Sequence, residues 1–485
     1  MEKFDVCIIG GGPAGYVSAL KCAINGLSAA IVEKERFGGT CLNRGCIPTK
    51  VLYSKAKYLS KLKKPERGFT IAGFDYNYAD IISYKDEVVS MLTGGVEKLL
   101  KTRKVSIFYG NGKIAGKDGS EFIAGINPAN PKEDRNCAGI QISAKNIIVA
   151  TGSAPLMIPV FNIDHKNIIT SDEVLSLKEV PKSLIIIGAG VIGCEFANIF
   201  SEFGTSVKML ELLPSILSTE DKEISKYIHK NFKSRNIDIM TGVEVSGIKA
   251  LDLDNCGKIG AEAELKTGEK FKADKVLVSI GRKLNTSGIG LEEAGVKLDK
   301  RGKIEANKKN ETNVRGIYAC GDIIDGPMLA HKASYDGIIA ADNIAGINRE
   351  KNYGVLPWSI YTNPAIGTVG LKEGDEGLSH LKYSVGRFSY AASGMALAME
   401  EPEGFLKVIV DEESKKIIGA TGIGADIPEL IAEASSYMHF GGTVSDVEST
   451  IHSHPTLSEI VPEAALDSIG EAIHKFNPRT AKKHG

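Results

Sequence analysis

Two similar stretches of sequence decide the fold, and the first of them is DVCIIGGGPAGYVSALKCAINGLSAAIVEKE, residues 5–35. The second, SLIIIGAGVIGCEFANIFSEFGTSVKMLELL, covers residues 183–213. Each contains an apolar strand, a G-x-G-x-x-G turn, an amphipathic helix and a second apolar strand that ends in glutamate. In both, the glycine that ends the helix lies 16 residues after the first motif glycine, and the glutamate lies 23 residues after it. The chain therefore contains the same supersecondary unit twice.

This unit is typical of dinucleotide binding, because each glycine has a separate task. The first allows a tight turn, the second lets the backbone approach a pyrophosphate, and the third lets the helix pack on the strand. The terminal glutamate can accept hydrogen bonds from ribose hydroxyls. We predict two dinucleotide sites, the first with Gly10, Gly12, Gly15 and Glu33 and the second with Gly188, Gly190, Gly193 and Glu211.

The second site favours NAD over NADP. The carboxylate of Glu211 repels a 2′-phosphate, whereas an NADP site places arginine nearby. The ten residues after Glu211 read LLPSILSTED, and the first cation beyond them is Lys222. The sequence therefore predicts a ribose with a free 2′-hydroxyl at this position.

Composition excludes several other classes of protein. A chain of 485 residues is long enough for more than one domain. Its net charge of −1 gives no basic field for nucleic acid or an anionic membrane. Its apolar runs are far shorter than the roughly 20 residues of a membrane span, and a strand beginning at about Phe4 leaves no room for a leader peptide. We expect a cytoplasmic chain with neither a membrane nor a nucleic-acid partner.

Two cysteines follow the first repeat directly, in GGTCLNRGCIPTK, residues 38–50. Cys41 and Cys46 are near neighbours, whereas Cys7, Cys22, Cys194 and Cys320 lie in separate apolar runs. A structural disulfide is disfavoured in a reducing compartment, and zinc needs further ligands that the scattered cysteines do not supply. Residues from about 41 to 58 are predicted to be helical, and a helix N-terminus stabilises a thiolate. Beside a dinucleotide unit, a redox-active pair is the leading interpretation, and we expect no metal.

The order of motifs along the chain resembles the flavoprotein disulfide reductases and, within them, the dihydrolipoamide dehydrogenases. The matching motifs are GGTCLNRGCIPTK, IIVATGS (147–153), IIIGAGVIGCEFA (185–197), SIGRKLNT (279–286), IYACGDI (317–323), MLAHKAS (328–334), YTNPAIGTVG (361–370) and HSHPTLSEI (452–460). The resemblance implies an α/β protein with two Rossmann-like domains, one for FAD and one for NAD, and a C-terminal mixed α/β dimerisation domain.

The resemblance also implies domain limits and an activity. It predicts an FAD-binding domain (1–149), an NAD-binding domain (150–276), a central segment that completes the FAD domain (277–350), an interface domain (351–476) and a tail (477–485). The implied reaction is NAD-dependent oxidation of protein-bound dihydrolipoamide to lipoamide through a redox-active disulfide and FAD. The implied partners are a second copy of the chain, in a homodimer with shared active sites, and lipoyl domains of 2-oxo acid dehydrogenase complexes or the glycine cleavage system.

Residue roles carry over from the same motifs. Cys46 is expected beside the flavin and Cys41 toward the substrate, with Lys50 near the flavin ring and paired with Glu195. The remaining implied FAD contacts are Gly39, Thr40, Gly112, Thr151, Gly152, Ser153, Asp322 and Ala330. Val245 and Gly281 are added to the NAD site.

The reaction needs a base near neutral pH, and a histidine tuned by a carboxylate suits this task. The segment HSHPTLSE offers His452, His454 and Glu459, and its pattern alone does not separate the two histidines. The resemblance selects His454, with Glu459 fixing its tautomer, and implies that it acts on the partner subunit's disulfide.

The sequence leaves open two alternative functions and two features that differ from the family pattern. The chain could reduce another disulfide, such as one of a glutathione or coenzyme A type, or be a non-catalytic scaffold that retains FAD. Arg44 stands where many family members have valine; it is either a surface cation or a group that lowers a thiol pKa. The polar segment 117–137 is predicted to be an enlarged surface hairpin.

Overall fold

A computed structural model describes residues 1–64, 66–128, 139–251 and 260–476. Helices and strands alternate through most of these residues, and the predicted α/β fold class is confirmed. The tail and the last part of the 117–137 segment lie outside the described residues, while the first part of that segment forms an antiparallel hairpin. The domain limits given above stay predictions.

The first sheet has seven strands. With the helices between them, its elements are β1 (Glu2–Ile9), α1 (Pro13–Ile24), β2 (Ala29–Glu33), α2 (Gly39–Arg44), α3 (Cys46–Lys63), α4 (Tyr78–Thr102), β3 (Ser106–Tyr109), β4 (Asn111–Asp118), β5 (Glu121–Asn127), β6 (Ile140–Val149) and β17 (Ile317–Ala319). The strand order is β3-β2-β1-β6-β5-β4, with β17 also paired to β6. Strands β1, β2, β3, β6 and β17 run parallel, and β4 and β5 add an antiparallel hairpin.

The second sheet is wholly parallel, and two small antiparallel sheets accompany it. The elements of all three are β7 (Ser153–Pro155), β8 (Ile168–Ile169), β9 (Ser183–Ile187), α5 (Val191–Glu202), β10 (Ser206–Glu211), α6 (Lys222–Ser234), β11 (Asp238–Thr241), β12 (Val245–Ala250), β13 (Ala261–Leu265), β14 (Lys270–Ala273), β15 (Lys275–Val278) and β16 (Arg282–Leu284). The parallel sheet has the order β11-β10-β9-β15-β8. The small sheets are β12-β13-β14 and β16-β7.

The third sheet is antiparallel, and the helix α7 (Ala330–Ile344) leads toward it from the first sheet. Its elements are β18 (Trp358–Ile360), β19 (Ala365–Gly370), β20 (Tyr383–Ser389), α8 (Gly394–Ala398), β21 (Phe405–Asp411), β22 (Ile417–Gly424), α9 (Ile427–Phe440), α10 (Val444–Ser449) and α11 (Ile460–Asp467). The strand order is β18-β19-β22-β21-β20, and α9 and α11 pack on the sheet. No helix in the described ranges is long and apolar enough to cross a membrane.

Buried parallel strands explain why the two sequence repeats read as continuous apolar runs. All residues from Val6 to Ile9 and from Leu184 to Ile187 are buried, because both faces of each parallel sheet are covered. One face of β9 packs against α5 and the other against the β12-β13-β14 sheet. In each repeat the motif glycines follow one strand, and the glutamate is the last residue of the neighbouring strand. They therefore meet at one edge of their sheet.

The predicted single helix over residues 41–58 is divided in the structure. Helix α2 ends at Arg44, and α3 begins at Cys46. Gly45 lies between them with a non-helical backbone (φ −146°, ψ −113°), and a Cβ there would approach the Thr40 carbonyl oxygen to 2.9 Å. Cys46 thus occupies the first position of a helix, among N–H groups without intrahelical partners. Pro48 is tolerated because it falls in this first turn.

Candidate active site

The first G-x-G-x-x-G turn has the shape that a bound pyrophosphate requires. A Cβ added to Gly10 would collide with the Ala150 carbonyl, and one added to Gly15 would collide with the Gly10 carbonyl. At the middle glycine, Gly12, the nearest atom to an added Cβ is the Cα of Gly39, at 3.8 Å. The outer glycines are therefore needed for packing within the chain. The middle one leaves room for phosphate, so these residues fit an FAD pyrophosphate.

Glu33 is held in place by the turn that it serves. Its Oε2 accepts a hydrogen bond from the Gly11 N–H at 2.7 Å, and its Oε1 accepts one from the Glu35 N–H at 2.8 Å. Burial raises the pKa of Glu33, and the Gly11 hydrogen bond opposes that rise. Because a carboxylate oxygen accepts more than one hydrogen bond, both oxygens keep capacity for ribose hydroxyls.

The second turn repeats this arrangement. A Cβ on Gly188 would approach the Ser279 carbonyl oxygen to 2.6 Å, and one on Gly193 would collide with the Gly188 carbonyl. A Cβ on Gly190 would meet no atom within 4 Å. Glu211 is buried and accepts from the Ala189 N–H at 2.5 Å and the Leu213 N–H at 2.8 Å. The structure thus places all four predicted residues of this turn together. Val245 begins β12 two residues after Val243, whose N–H donates to the Glu211 carbonyl at 3.0 Å.

An arginine that the sequence analysis did not single out connects three of the predicted FAD contacts. Arg282 donates from Nε to the Ser153 hydroxyl at 2.7 Å and contacts the Thr40 hydroxyl at 3.4 Å. The Ser153 hydroxyl in turn donates to Asp322 at 2.5 Å. Arg282 follows directly after Gly281 in the quoted motif SIGRKLNT. A charged residue at that place in a motif could have been recognised from the sequence as a candidate site residue. Its role is to hold these side chains in one row.

The other predicted FAD contacts occupy loops and element ends along the same edge. Thr151 and Gly152 bind Asn285 through hydrogen bonds of 2.7 to 3.0 Å, and Ala330 is the first residue of α7. Gly112 lies in β4, where a Cβ would come within 3.0 Å of Val32 and 3.1 Å of Ile9. Packing alone therefore accounts for the glycine at position 112.

A buried ion pair supports the loop that carries Asp322. Lys332 and Asp336 on α7 are fully buried and 3.1 Å apart. Lys332 donates to the Gly321 carbonyl at 2.9 Å, and Asp336 accepts from the Gly321 N–H at 3.1 Å. Tyr353 also donates to Asp336. A buried charge needs a partner and hydrogen bonds, and here those bonds fix the backbone just before Asp322.

Cys41 and Cys46 shift each other's pKa in opposite directions. A hydrogen bond from the Cys41 thiol to the Cys46 sulfur, together with the nearby Lys50 ammonium, lowers the pKa of Cys46 to about 7. The same hydrogen bond raises the pKa of Cys41. Cys46 is therefore the first of the pair to ionise. Cys46 is exposed in the single chain and Cys41 is half-buried, so exposure does not by itself favour Cys41 as the substrate-facing sulfur.

Lys50 and Glu195 meet as the motifs predicted. The Lys50 Nζ lies 3.0 Å from both carboxylate oxygens of Glu195, whose side chain is buried. Tyr361, from the start of the third sheet, completes this cluster. Its N–H donates to Glu195 at 2.9 Å, and its ring centroid is 4.5 Å from the Lys50 Nζ. A residue that directly follows β18 of the third sheet therefore helps to place the Lys50 ammonium beside the cysteines.

The guanidinium group of Arg44 lies next to two carboxylates. It pairs with Glu35 and lies 3.8 Å from Asp172. Burial raises the pKa of Asp172, and Arg44 opposes that rise. The side chains whose charges act on the pKa of Cys46 are Lys50 and Glu195.

Removal of Arg44 is therefore expected to leave the thiols unchanged, whereas removal of Lys50 is not. In the reduced protein, Arg44→Val should keep the pH dependence of cysteine alkylation. Lys50→Met should move it to higher pH, because the ammonium stabilises the Cys46 thiolate. Alkylation rates at a series of pH values, with the modified cysteine identified by mass spectrometry, measure both. A shift in Arg44→Val equal to that in Lys50→Met would assign the tuning to Arg44 instead.

The structure gives His454 the partner that the motif predicted. Its Nδ1 lies 2.8 Å from Glu459 Oε1, and Glu459 Oε2 accepts from the Thr456 N–H at 2.9 Å. The Thr456 bond, followed by the His454 contact, lowers the pKa of Glu459. Thr456 is the N-cap of the helical turn that carries Glu459.

Contacts of the ring nitrogens separate the two histidines that the sequence pattern left equal. His452 engages both nitrogens, Nε2 with Glu433 at 2.6 Å and Nδ1 with the Thr450 carbonyl at 2.9 Å, and its side chain is only 10% exposed. His454 is 81% exposed, and its described hydrogen bond uses Nδ1. The exposed His454 ring thus uses Nδ1 for its carboxylate, whereas His452 uses both nitrogens within the chain.

Comparison with known proteins identifies the class. Residues 4–337 match the pyridine nucleotide-disulphide oxidoreductase model, and residues 356–465 match the dimerisation domain of the same family. The chain belongs to this family. The match to the dimerisation domain supports a homodimer, and the family and its dihydrolipoyl dehydrogenases use FAD and NAD. These matches confirm the predicted enzyme class, its two cofactors and the resemblance of the chain's motifs to the flavoprotein disulfide reductases.

Among curated relatives, the similarity extends over nearly the whole chain. A dihydrolipoyl dehydrogenase of Bacillus subtilis is 38% identical over 477 residues, covering 97% of this chain and 99% of that protein. That of Halobacterium salinarum is 36% identical, with 98% of each chain covered. The mitochondrial dihydrolipoyl dehydrogenase of Dictyostelium discoideum is 38% identical and covers 98% of this chain and 96% of its own.

Solved structures show the same fold. LpdA from Mycobacterium tuberculosis superposes with a TM-score of 0.87 at 23% identity, covering 96% of this chain and 99% of that one. The HOCl-induced flavoprotein disulfide reductase RclA from Escherichia coli gives 0.83 at 26% identity, covering 95% of this chain and 99% of its own.

Proposed function

We propose that this chain oxidises dihydrolipoamide carried on a protein to lipoamide, with NAD as the electron acceptor. The observation that carries the proposal is the Cys41–Cys46 pair, in which the pKa of Cys46 is lowered beside the Lys50–Glu195 ion pair. The full-length similarity to dihydrolipoyl dehydrogenases supports the choice of substrate. The exposed His454–Glu459 pair supports a base that works on a thiol from outside the chain.

The chain's own residues can carry out the thiol chemistry in two steps. In the first, the Nε2 of His454 takes a proton from one substrate thiol, and the thiolate attacks the Cys41 sulfur of the oxidised pair. The Cys41–Cys46 bond breaks, a bond forms between the substrate sulfur and Cys41, and Cys46 leaves as a thiolate. The low pKa of Cys46 makes it the better leaving group.

In the second step, the other substrate thiol attacks the substrate sulfur bound to Cys41 and passes its proton to the departing Cys41 sulfur. The sulfur–sulfur bond of lipoamide forms, Cys41 leaves as a thiol, and Lys50 stabilises the negative charge that remains on Cys46. The two electrons of the substrate then reside on the cysteine pair. The Gly10–Gly15 turn and the Thr40–Ser153–Asp322 row would hold FAD, which when bound would supply the chemistry that carries these electrons to NAD.

Turnover with a panel of substrates tests the proposal. NAD reduction is measured with dihydrolipoamide free and attached to a lipoyl domain, and NADH oxidation is measured with lipoamide, glutathione disulfide and coenzyme A disulfide. Preferred turnover of the lipoamide forms is expected. Preference for glutathione or coenzyme A disulfide would contradict it, as would a purified FAD-containing protein with no thiol-dependent turnover.

Shared active sites in a homodimer belong to the same proposal and predict complementation between inactive subunits. A Cys46→Ser subunit keeps His454, and a His454→Gln subunit keeps both cysteines. Their heterodimer would contain one complete site. Equal amounts of the two, unfolded and refolded together, should recover about a quarter of the wild-type activity, since random pairing makes about half of the dimers mixed. Failure to recover activity in isolated heterodimers would place each site within one chain.

Lipoyl domains as partners and a cytoplasmic location complete the proposal. Four described cysteines outside the active pair, Cys7, Cys22, Cys194 and Cys320, are buried free thiols. A reducing compartment keeps such thiols in that form.

A further inference from the structure

The loop that follows the NAD-site glutamate contacts the NAD turn itself. This loop, residues 212–221, connects β10 with α6. Near its middle, the Leu217 N–H donates to the Ala189 carbonyl at 2.9 Å, while the Ala189 N–H donates to Glu211 at 2.5 Å. Ala189 stands between the first two motif glycines. Both polar backbone atoms of this turn residue are therefore fixed, one by Glu211 and the other by the 212–221 loop.

The far end of the 212–221 loop is bound by the third sheet. Glu220 is only 7% exposed, and its Oε1 accepts from the Trp358 indole N–H at 2.6 Å. Its Oε2 accepts from the Thr368 hydroxyl at 3.1 Å. The Glu220 N–H donates to the Leu217 carbonyl at 2.9 Å. One backbone turn thus connects Glu220, which is bound by the third sheet, to Leu217, which contacts the NAD turn.

A second buried contact fixes the next residue. Asp221 and Lys407 on β21 are both nearly inaccessible and lie 2.7 Å apart, and Lys407 also pairs with Glu373. The second oxygen of Asp221 caps α6 by accepting from the Glu223 N–H at 2.8 Å. Because buried charges are stable only when paired and hydrogen-bonded, the end of the 212–221 loop has little freedom while the third sheet is in place.

We propose that Glu220, held by Trp358 and Thr368, is a positioning residue for NAD. The interface domain fixes the 212–221 loop, and the loop fixes the Gly188–Gly190 turn in the form that the pyrophosphate meets. A site already ordered before binding loses less conformational entropy when the ligand arrives. NAD affinity then depends on a domain that lies outside the dinucleotide fold. The inference rests on the proposed function only for the role of NAD as electron acceptor.

The test is equilibrium binding of NAD to the oxidised FAD-containing protein, measured by calorimetry. Glu220→Ala removes both anchoring hydrogen bonds and is expected to raise the Kd for NAD about tenfold. Glu220→Gln keeps an acceptor for the Trp358 indole and should stay within about twofold of wild type. Trp358→Phe removes one bond without opening a large cavity and should raise the Kd about threefold, which keeps the test valid if Glu220→Ala does not fold.

Tyr390→Phe is the matched control, since it removes one buried hydrogen bond, to the Ala425 carbonyl at 2.7 Å, from the same domain. It should leave the Kd for NAD unchanged. An unchanged Kd in folded Glu220→Ala and Trp358→Phe would overturn the inference, as would an equal rise in Tyr390→Phe. Reduction of the Glu220→Ala protein by dihydrolipoamide, without NAD, should proceed at the wild-type rate. If dihydrolipoamide does not reduce the wild-type protein, the proposed function is contradicted. The Kd values for NAD would still test the role of Glu220.

Discussion

Cys46→Ser is expected to lower turnover of dihydrolipoamide with NAD by on the order of a thousandfold or more, because loss of a reacting nucleophile removes the pathway itself. Serine preserves the size of the side chain but cannot form the disulfide that accepts the substrate's electrons. FAD binding and reduction of the flavin by NADH should remain, since the contacts of the two glycine turns do not include Cys46. Steady-state turnover and anaerobic reduction by NADH measure the two effects.

The control for this prediction is Cys22→Ala, which removes a buried thiol from α1. It should keep most of the turnover, because that thiol is a small apolar group within a helix. Turnover in Cys46→Ser close to that of Cys22→Ala would show that the pair is not the electron relay.

His454→Gln is expected to lower the rate of reduction by dihydrolipoamide by about a hundredfold to ten-thousandfold, the usual contribution of a general base. Glutamine retains a polar side chain of similar reach but takes up no proton near neutral pH. The residual rate should rise with pH, because substrate that is already ionised no longer needs the base. Reduction of the flavin by NADH should stay at the wild-type rate.

The chain offers a matched control in His474, which also binds a carboxylate through Nδ1, that of Glu463 at 2.7 Å, and is 73% exposed. His474→Gln should leave both half-reactions unchanged. A similar loss in His454→Gln and His474→Gln would point to disturbance of the C-terminal domain. A loss only in His452→Gln would assign the base to the other histidine of the motif.

The sequence was most informative where contacts are close along the chain. The glycine turns and their glutamates follow from spacing, because one supersecondary unit imposes the tight turn, the packed helix and the carboxylate together. The break at Gly45 was not predicted, because the sequence pattern around Cys41 and Cys46 is compatible with one continuous helix. A single non-helical residue, Gly45, is enough to divide that helix.

Residues that act across long separations could not be predicted in the same way. Arg282 meets Thr40 across 242 positions, and Tyr361 meets Glu195 across 166. The Lys332–Asp336 pair looks like an ordinary helix-surface spacing, yet it is fully buried under the Asp322 loop. Their surroundings depend on how the three sheets pack, which no local pattern contains.

The most direct measurement of the central claim is anaerobic addition of dihydrolipoamide to the wild-type protein and to Cys46→Ser, recorded in the visible flavin spectrum. We expect a long-wavelength charge-transfer band in wild type, from the Cys46 thiolate beside oxidised flavin, that is absent in the variant and disappears when NAD is added. A flavin that NADH reduces but dihydrolipoamide leaves unchanged would contradict the lipoamide assignment.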